Sequence, residues 1–126
     1  MAEDSSFAAR VRAAARSSWQ STFVTVAALL YARLWGASIE FEPTLRLFLA
    51  TGMSHGFARA GTTVGGVFLT RRYPSDKLIR HESVHADQWA RYGVAFPIRY
   101  WLEELRNPRE LNRFEVDAGL AEGGYI

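Results

Sequence analysis

Apolar residues recur at helical spacing over most of the chain, and this pattern predicts five helices. A serine or aspartate N-cap is available to the first and the third, while Gly36 and Gly93 close the second and the third. In the first helix, Phe7, Val11 and Trp19 approximate one face. The predicted helices cover residues 4–20, 21–35, 75–92, 96–106 and 108–121.

Extended structure is expected between the second and third helices. Residues 62–70, "TTVGGVFLT", combine β-branched and aromatic residues with flanking turn signals, so they form the best strand. Their Gly65-Gly66 pair indicates a bulge or a close approach of another backbone. Residues 37–43 alternate and predict a short extended piece, whereas residues 44–57 are ambiguous, although apolar enough for a short helix ended by Gly52. The expected fold class is α+β and mainly helical, with a short β-strand or hairpin region before the third helix.

Composition and charge narrow the picture to one folded domain. The 126 residues, 48% hydrophobic and 22% charged, suffice for a single domain over 1–126, with N-terminal helices in 1–35 and a functional core in 60–122. There is no cysteine, which excludes disulfides and thiolate metal sites and leaves histidine, aspartate and glutamate as metal ligands. A net charge of +2, scattered arginines and no nucleic-acid-binding motif argue against a nucleic-acid partner.

The most apolar run is "FVTVAALLYARLW", residues 23–35. It is shorter than the roughly 20 residues of a bilayer span, and Arg33 interrupts it. The acidic start "MAEDSS" differs from that of a signal peptide. We therefore expect a cytoplasmic protein whose N-terminal helices pack in the core or, as an open alternative, make peripheral contact with a membrane. The oligomeric state is not indicated.

Candidate chemistry is concentrated in "RHESVHADQW", residues 80–89. Histidines four residues apart on a helix share a face, so His81 and His85 point the same way and suit Zn²⁺. Glu82 lies about 100° further round, where a carboxylate accepts a proton from water as a general base. The order of ligand, base and ligand gives His-Glu-x-x-His its mechanism.

Catalytic zinc needs a third protein ligand, and Glu115 in "NRFEVDAGL" is the favoured one. A short intervening helix reverses the chain and lays the last helix against the motif helix. Asp117 is the runner-up, about 200° away from Glu115 on the helix, so both cannot be ligands. The other acids and the third histidine are weaker candidates: His55, Glu103, Glu104, Glu110 and Glu122.

The segments "HESVHADQWARYG" and "NRFEVDA", about twenty residues apart, resemble the gluzincin type of zinc metallopeptidase. The likeness is greatest to small bacterial versions little larger than the catalytic core, called minigluzincins, and covers roughly residues 60–120. It implies a minimal zincin-like domain with zinc on His81, His85 and Glu115, and Glu82 as base. It also implies that the strand over 62–70 is an edge to which an extended peptide binds; an ordinary sheet strand is the alternative.

One position departs from this resemblance. Larger gluzincins often carry an acid four residues after the ligand glutamate, which orients the first histidine, but here that residue is Gly119. Gln88 or Asn112 is positioned to supply a hydrogen bond that fixes a histidine tautomer. Candidates for stabilising an oxyanion are Tyr73, Tyr125 and His55. The aromatic residues of 89–101 are expected in the core.

Two classes of function follow from these residues. The first is a zinc-dependent hydrolase, a peptidase acting on a peptide or protein substrate with metal-activated water. The second is a non-catalytic zincin-fold module that binds metal or associates with a membrane as a scaffold. The intact Glu82 favours the first class, because a scaffold has no need of it.

Overall fold

The computed structural model describes residues 6–54, 61–120 and 123 of the chain. The α+β class and the predominance of helix expected from the sequence are confirmed. Short 3₁₀ turns at Gly93–Ala95 and Arg109–Leu111 precede the last two helices. The helices are α1 (Phe7–Ala14), α2 (Trp19–Leu34), α3 (Asp76–Tyr92), α4 (Phe96–Arg106) and α5 (Arg113–Ala118), and the strands are β1 (Ser38–Glu42), β2 (Leu47–Thr51), β3 (Thr62–Val64) and β4 (Val67–Leu69).

The four strands form one sheet in the order β1-β2-β4-β3. β1 pairs antiparallel with β2, β2 runs parallel to β4, and β3 and β4 form an antiparallel hairpin. The sequence predicted one strand over 62–70, but Gly65 and Gly66 make the hairpin turn instead of a bulge. β3 therefore stands at one end of the strand order, beside α3.

β2 lies in residues 44–57, which the sequence left ambiguous with a short helix as one interpretation, and the structure has a strand there. Both faces of β2 are covered: Phe48 and Ala50 pack with α1 and α2, whereas Leu47 and Leu49 pack with α3. A strand buried on both faces loses the alternation of apolar and polar residues that identifies a strand in sequence. The apolar run over 47–50 is the result.

α1 and α2 cover one face of the sheet at very short distance. The amide of Gly66 donates to Thr25 Oγ1 at 3.0 Å, and a Cβ on Gly66 would lie 2.4 Å from the carbonyl oxygen of Ala14. Only glycine fits this contact. The close approach suggested by the glycine pair is therefore present, although it occurs at a turn.

The first predicted helix, residues 4–20, is divided in two. Arg16 and Ser17 adopt left-handed backbone angles with φ of 50° and 62°, and Ser18 then caps α2. The Arg16 guanidinium holds this break by bonding Asp87 and the carbonyl oxygens of Leu45 and Ser83. Trp19 consequently begins α2 and does not share a face with the apolar residues of α1.

The last helix is also shorter than the predicted span of 108–121. Asn112 Oδ1 accepts from the amide of Phe114 at 2.9 Å and so caps α5, which leaves Pro108 outside the helix. Gly119 ends it with a φ of 101°. Residue 121 lies outside the described residues.

None of the helices in the described ranges is long and apolar enough to cross a membrane.

Candidate metal centre

α3 carries the histidine motif and begins and ends as the sequence predicted. Ser75 Oγ accepts from the amide of Leu78 at 3.2 Å as N-cap, and Gly93 closes the helix with a φ of 63°. The face of α3 turned inward is unusual, because it buries His81, Glu82 and His85. Buried polar groups of this kind require partners, and the partners identify the site.

Both histidines and Glu115 converge at a single point. His81 Nε2 lies 2.9 Å from Glu115 Oε1, His85 Nε2 lies 3.0 Å from the same oxygen, and the two nitrogens are 3.2 Å apart. All three side chains are buried. Glu115 comes from α5, which packs against α3, so the chain reversal expected between the two helices is present.

These separations fit one small cation. Two ligand atoms at about 2.0–2.1 Å from a tetrahedral zinc ion are about 3.3 Å apart, and the triangle is only a few tenths of an ångström tighter. His81, His85 and Glu115 are the described group able to hold a metal. Two imidazoles and a carboxylate are the donor types of catalytic zinc sites and leave a position open.

The His85 tautomer is fixed by Gln88. Gln88 Nε2 donates to the carbonyl oxygen of Phe114 at 3.0 Å, so its Oε1 faces His85 Nδ1 at 2.7 Å and accepts a hydrogen bond from it. His85 Nε2 then presents its lone pair to the centre. Gln88 thus makes the histidine contact considered for it, and it also links α3 to α5.

His81 is oriented by a backbone carbonyl. Its Nδ1 lies 2.8 Å from the carbonyl oxygen of Gly119, which can only accept, so Nδ1 carries the proton and Nε2 faces the centre. The same oxygen accepts from the amide of Gly123 at 3.0 Å. A Cβ on Gly123 would lie 2.4 Å from His81 Cε1, so this glycine closes against the ring. At the position where gluzincins often have an acid, the main chain of Gly119 orients the histidine.

When each imidazole carries a single proton, held at Nδ1, three acceptors point at one another: the two Nε2 atoms and Glu115 Oε1. The Nδ1 bonds leave two Nε2 lone pairs facing a carboxylate oxygen within about hydrogen-bond distance. Such an arrangement is repulsive unless a positive charge sits among the three atoms, as extra protons on the imidazoles or as a metal ion.

The second oxygen of Glu115 is held by Tyr100. Tyr100 Oη donates to Glu115 Oε2, which leaves Oε1 directed at the two histidines. Tyr100 lies on α4, and its phenol also lines the cavity beside the site. Asp117, the alternative third ligand, is exposed on the opposite side of α5 and is not in the cluster.

Glu82 lines the same cavity. It directly follows His81, a candidate metal ligand, in the sequence, but its hydrogen bond goes to a different part of the fold. Its Oε1 accepts from Thr63 Oγ1 at 2.6 Å, a bond between α3 and β3. Trp89 Nε1 donates to the carbonyl oxygen of Thr63 at 2.9 Å and fixes the strand on the helix. β3 thus positions Glu82, the candidate base, through the Thr63 hydroxyl. The carbonyl group of Thr63 in β3 is already hydrogen-bonded to Trp89.

The four ionisable groups perturb one another. Burial raises the pKa of Glu82, and the opposing effects of His85 and Thr63 do not cancel it. Burial favours neutral histidines, but the hydrogen bonds to Glu115 and the charge of Glu82 outweigh it and raise the pKa of His81 and His85. Burial would raise the pKa of Glu115 as well, but the hydrogen bonds from both histidines hold it far below its ordinary value.

A cavity of about 990 Å³ opens over these groups. Its other described walls are apolar, aromatic or threonine side chains from β3, β4, α3 and α4, among them Val64, Phe96 and Trp101. Among the described lining residues, the only charged side chains are the glutamates and histidines of the site. The cavity is large enough for a segment of peptide or a molecule of similar size.

Other residues considered from the sequence have different tasks. The Asn112 side chain caps α5 and bonds Glu104, and its described bonds reach neither histidine. The Tyr73 hydroxyl bonds Glu40 on β1 and does not line the cavity. His55, Glu122 and Tyr125 lie outside the described residues. Glu103, Glu104 and Glu110 are not in the metal-binding group.

Sequence reasoning did not identify Tyr100 and Thr63 as parts of the site. Tyr100 was expected among core aromatics, and its spacing carries no signal because its partner is fifteen residues away on another helix. Thr63 lies in the strand that was expected to precede the site, but nothing in the sequence singled it out from Thr62.

Comparison with known proteins identifies no relative. A scan against models of protein families, a search of curated proteins and a search of solved structures each find no match.

Proposed function

We propose that the protein is a zinc-dependent hydrolase, a peptidase of the zincin type, in which His81, His85 and Glu115 bind the metal. The observation that carries this proposal is that His81 Nε2, His85 Nε2 and Glu115 Oε1 converge at one point. Hydrogen bonds of the two Nδ1 atoms to the Gly119 carbonyl oxygen and to Gln88 hold the imidazole rings in this orientation. A zinc ion bound there supplies a Lewis acid that polarises a carbonyl and lowers the pKa of water.

Glu82 is the proposed general base. It lies in the cavity beside the proposed ligands, where a carboxylate can take a proton from water and return it. Thr63 holds one carboxylate oxygen by the 2.6 Å bond, which leaves the other for a reacting molecule. The proton that Glu82 accepts is passed to the leaving amine when the amide bond breaks.

Tyr100 is the proposed donor for the substrate carbonyl oxygen as negative charge develops on it. Its hydroxyl lines the cavity and lies at the third ligand, so a small rotation turns it from Glu115 to a bound carbonyl. In the resting arrangement it positions the Glu115 carboxylate. Both tasks use the same hydroxyl, so replacement by phenylalanine affects ligand geometry and turnover together.

The walls of the cavity favour an uncharged, apolar stretch of substrate. The described lining offers no lysine or arginine for the carboxylate of a peptide C-terminus. A C-terminal carboxylate would be buried there without such a partner, which is costly. Internal peptide bonds flanked by apolar residues are therefore the proposed substrates.

The deciding experiment compares zinc-loaded wild type with Glu82→Gln on a library of fluorogenic peptides with apolar residues at the cleavable bond. Both proteins should retain zinc, and the variant should cleave about 10²–10⁴-fold more slowly. Glu110→Gln is the matched control, because Glu110 is exposed and outside the site.

Equal rates for wild type and Glu82→Gln would refute the role of the base. Zinc binding by wild type without cleavage of any peptide would reject the hydrolase and leave the metal-binding scaffold. Loss of zinc in Glu82→Gln would show that Glu82 belongs to the ligand set.

A further inference from the structure

α2 has its large apolar side chains on the outside. Trp19, Phe23, Leu30 and Leu34 are 70%, 73%, 64% and 82% exposed, and their spacing puts them on one face of the helix. The opposite face is buried and, apart from Leu29, carries only small or polar side chains, those of Ser21, Thr25, Ala28 and Ala32. Helices of water-soluble proteins usually show the reverse arrangement.

Packing explains the small inner face but not the outer one. Gly66 lies so close to Ala14 and Thr25 that a residue larger than threonine would not fit at position 25. Nothing in that contact requires tryptophan, phenylalanine and leucine on the outside. An exposed apolar stripe along a helix of 16 residues indicates a surface that another phase or molecule covers.

The stripe is flanked by positive charge. Residues 5–39 contain four arginines and no acid. Arg10, Arg12 and Arg33 are exposed, and no ion pair joins them to a carboxylate in the described part of the chain. Arg12 also lines the apolar groove of about 590 Å³ between α1 and α2. An apolar face bordered by arginines has the chemistry of a helix that lies on an anionic lipid surface.

The apolar surface continues from α2 to α4. The Gln20 side chain accepts from the amide of Val94 at 2.8 Å, which joins the start of α2 to the turn before α4. Val94 and Ile98 are 58% and 62% exposed. Trp101, further along α4, is exposed and also lines the cavity of the metal centre.

We infer that the exposed faces of α2 and α4 form a docking surface for an anionic lipid bilayer. The buried side of α2 packs on the sheet, so the helix lies in the plane of the membrane surface with its apolar stripe in the headgroup boundary. Arg10, Arg12 and Arg33 contact lipid phosphates. A second copy of the chain fits this surface poorly, because a two-fold contact would bring the same arginines together. The inference does not depend on the metal or on hydrolysis.

The test is co-sedimentation of the full chain with vesicles of phosphatidylcholine containing about one third phosphatidylserine, and with phosphatidylcholine alone. Wild type should bind the anionic vesicles more tightly, and added salt should weaken binding. Phe23→Ser combined with Leu30→Ser should lower the partition coefficient at least about tenfold. Arg10→Gln combined with Arg12→Gln should lower it by roughly fivefold per arginine on anionic vesicles only.

Leu111→Ser is the matched control, because Leu111 is also 64% exposed but lies outside α2 and α4. It should bind like wild type, and circular dichroism should show equal folding for all variants. Failure of wild type to bind anionic vesicles would overturn the inference, and so would equal binding by the Phe23→Ser and Leu30→Ser protein. A wild-type dimer that the same two substitutions convert to a monomer would identify a second copy as the occupant and reject the lipid surface.

Discussion

Replacing Thr63 by valine tests whether β3 tunes the candidate base. Valine has nearly the shape of threonine but removes the hydroxyl that donates to Glu82 at 2.6 Å. The bond stabilises the charged carboxylate, so its loss raises the pKa of Glu82 further. A buried hydrogen bond to a charged group contributes about 1.5–3 kcal/mol, and 1.36 kcal/mol corresponds to one pKa unit, so we expect a rise of about 1–2 units.

The pKa can be followed in metal-free protein by the ¹³C chemical shift of the Glu82 carboxyl, with Glu82→Gln assigning the signal. In zinc-loaded protein, the acid limb of the pH profile of hydrolysis should move to higher pH by the same amount, because the base acts as a carboxylate. Thr63→Ser keeps the hydroxyl and should titrate like wild type. The reasoning is refuted if valine leaves the pKa unchanged or lowers it, or if serine and valine shift it equally.

Three further predictions concern the groups that hold the ligands. Gln88→Ala removes the acceptor for His85 Nδ1, so the affinity for zinc, measured in competition with a chelator, should fall about 10–100-fold. An unchanged affinity would mean that the His85 tautomer does not depend on Gln88. Gly119→Ala puts a side chain on a residue whose φ is 101°, and so displaces the carbonyl group that orients His81. The affinity for zinc should therefore fall about tenfold. An unchanged affinity would mean that another group orients His81. In metal-free protein the raised pKa of the two histidines contributes stability below their ordinary value of 6.5, and this stability is lost as the pH rises through the folded-state pKa. The thermal midpoint should therefore fall as the pH rises above about 6.5 without zinc, and Glu115→Gln should flatten this dependence. A wild-type midpoint that does not fall as the pH rises above this value would contradict the coupling.

The helices were predictable where their ends are marked in the sequence. α3 and α4 have the predicted bounds within a residue, because Ser75, Gly93 and the Asn107-Pro108 break act locally. The break after α1 was not predictable, since Arg16 adopts its left-handed conformation through bonds to distant parts of the chain.

β2 could not be assigned from the sequence, for a different physical reason. Leu47 to Ala50 are buried on both faces by layers that the sequence does not reveal locally. A continuous apolar run of this length is compatible with either a buried strand or a buried helix. Only the packing of α1, α2 and α3 on opposite sides of the sheet distinguishes them.

The candidate site shows the same division between local and distant contacts. Two histidines on one helical face follow from spacing alone, and Glu115 could be proposed because a short helix reverses the chain. The Gly119 carbonyl could not be inferred, because a backbone acceptor has no sequence signal. Tyr100 and Thr63 reach the site only through the placement of α4 and β3 against α3.

The measurement that tests the central claim most directly is the zinc content of the purified protein beside that of Glu115→Gln. Both are stripped with a chelator, exposed to excess zinc and dialysed before elemental analysis. We expect one tightly held zinc ion per chain in wild type and a loss of retention in the variant, because glutamine removes the anionic ligand that both histidines face. A wild-type protein that retains no zinc, or a variant that retains it equally well, would contradict the account.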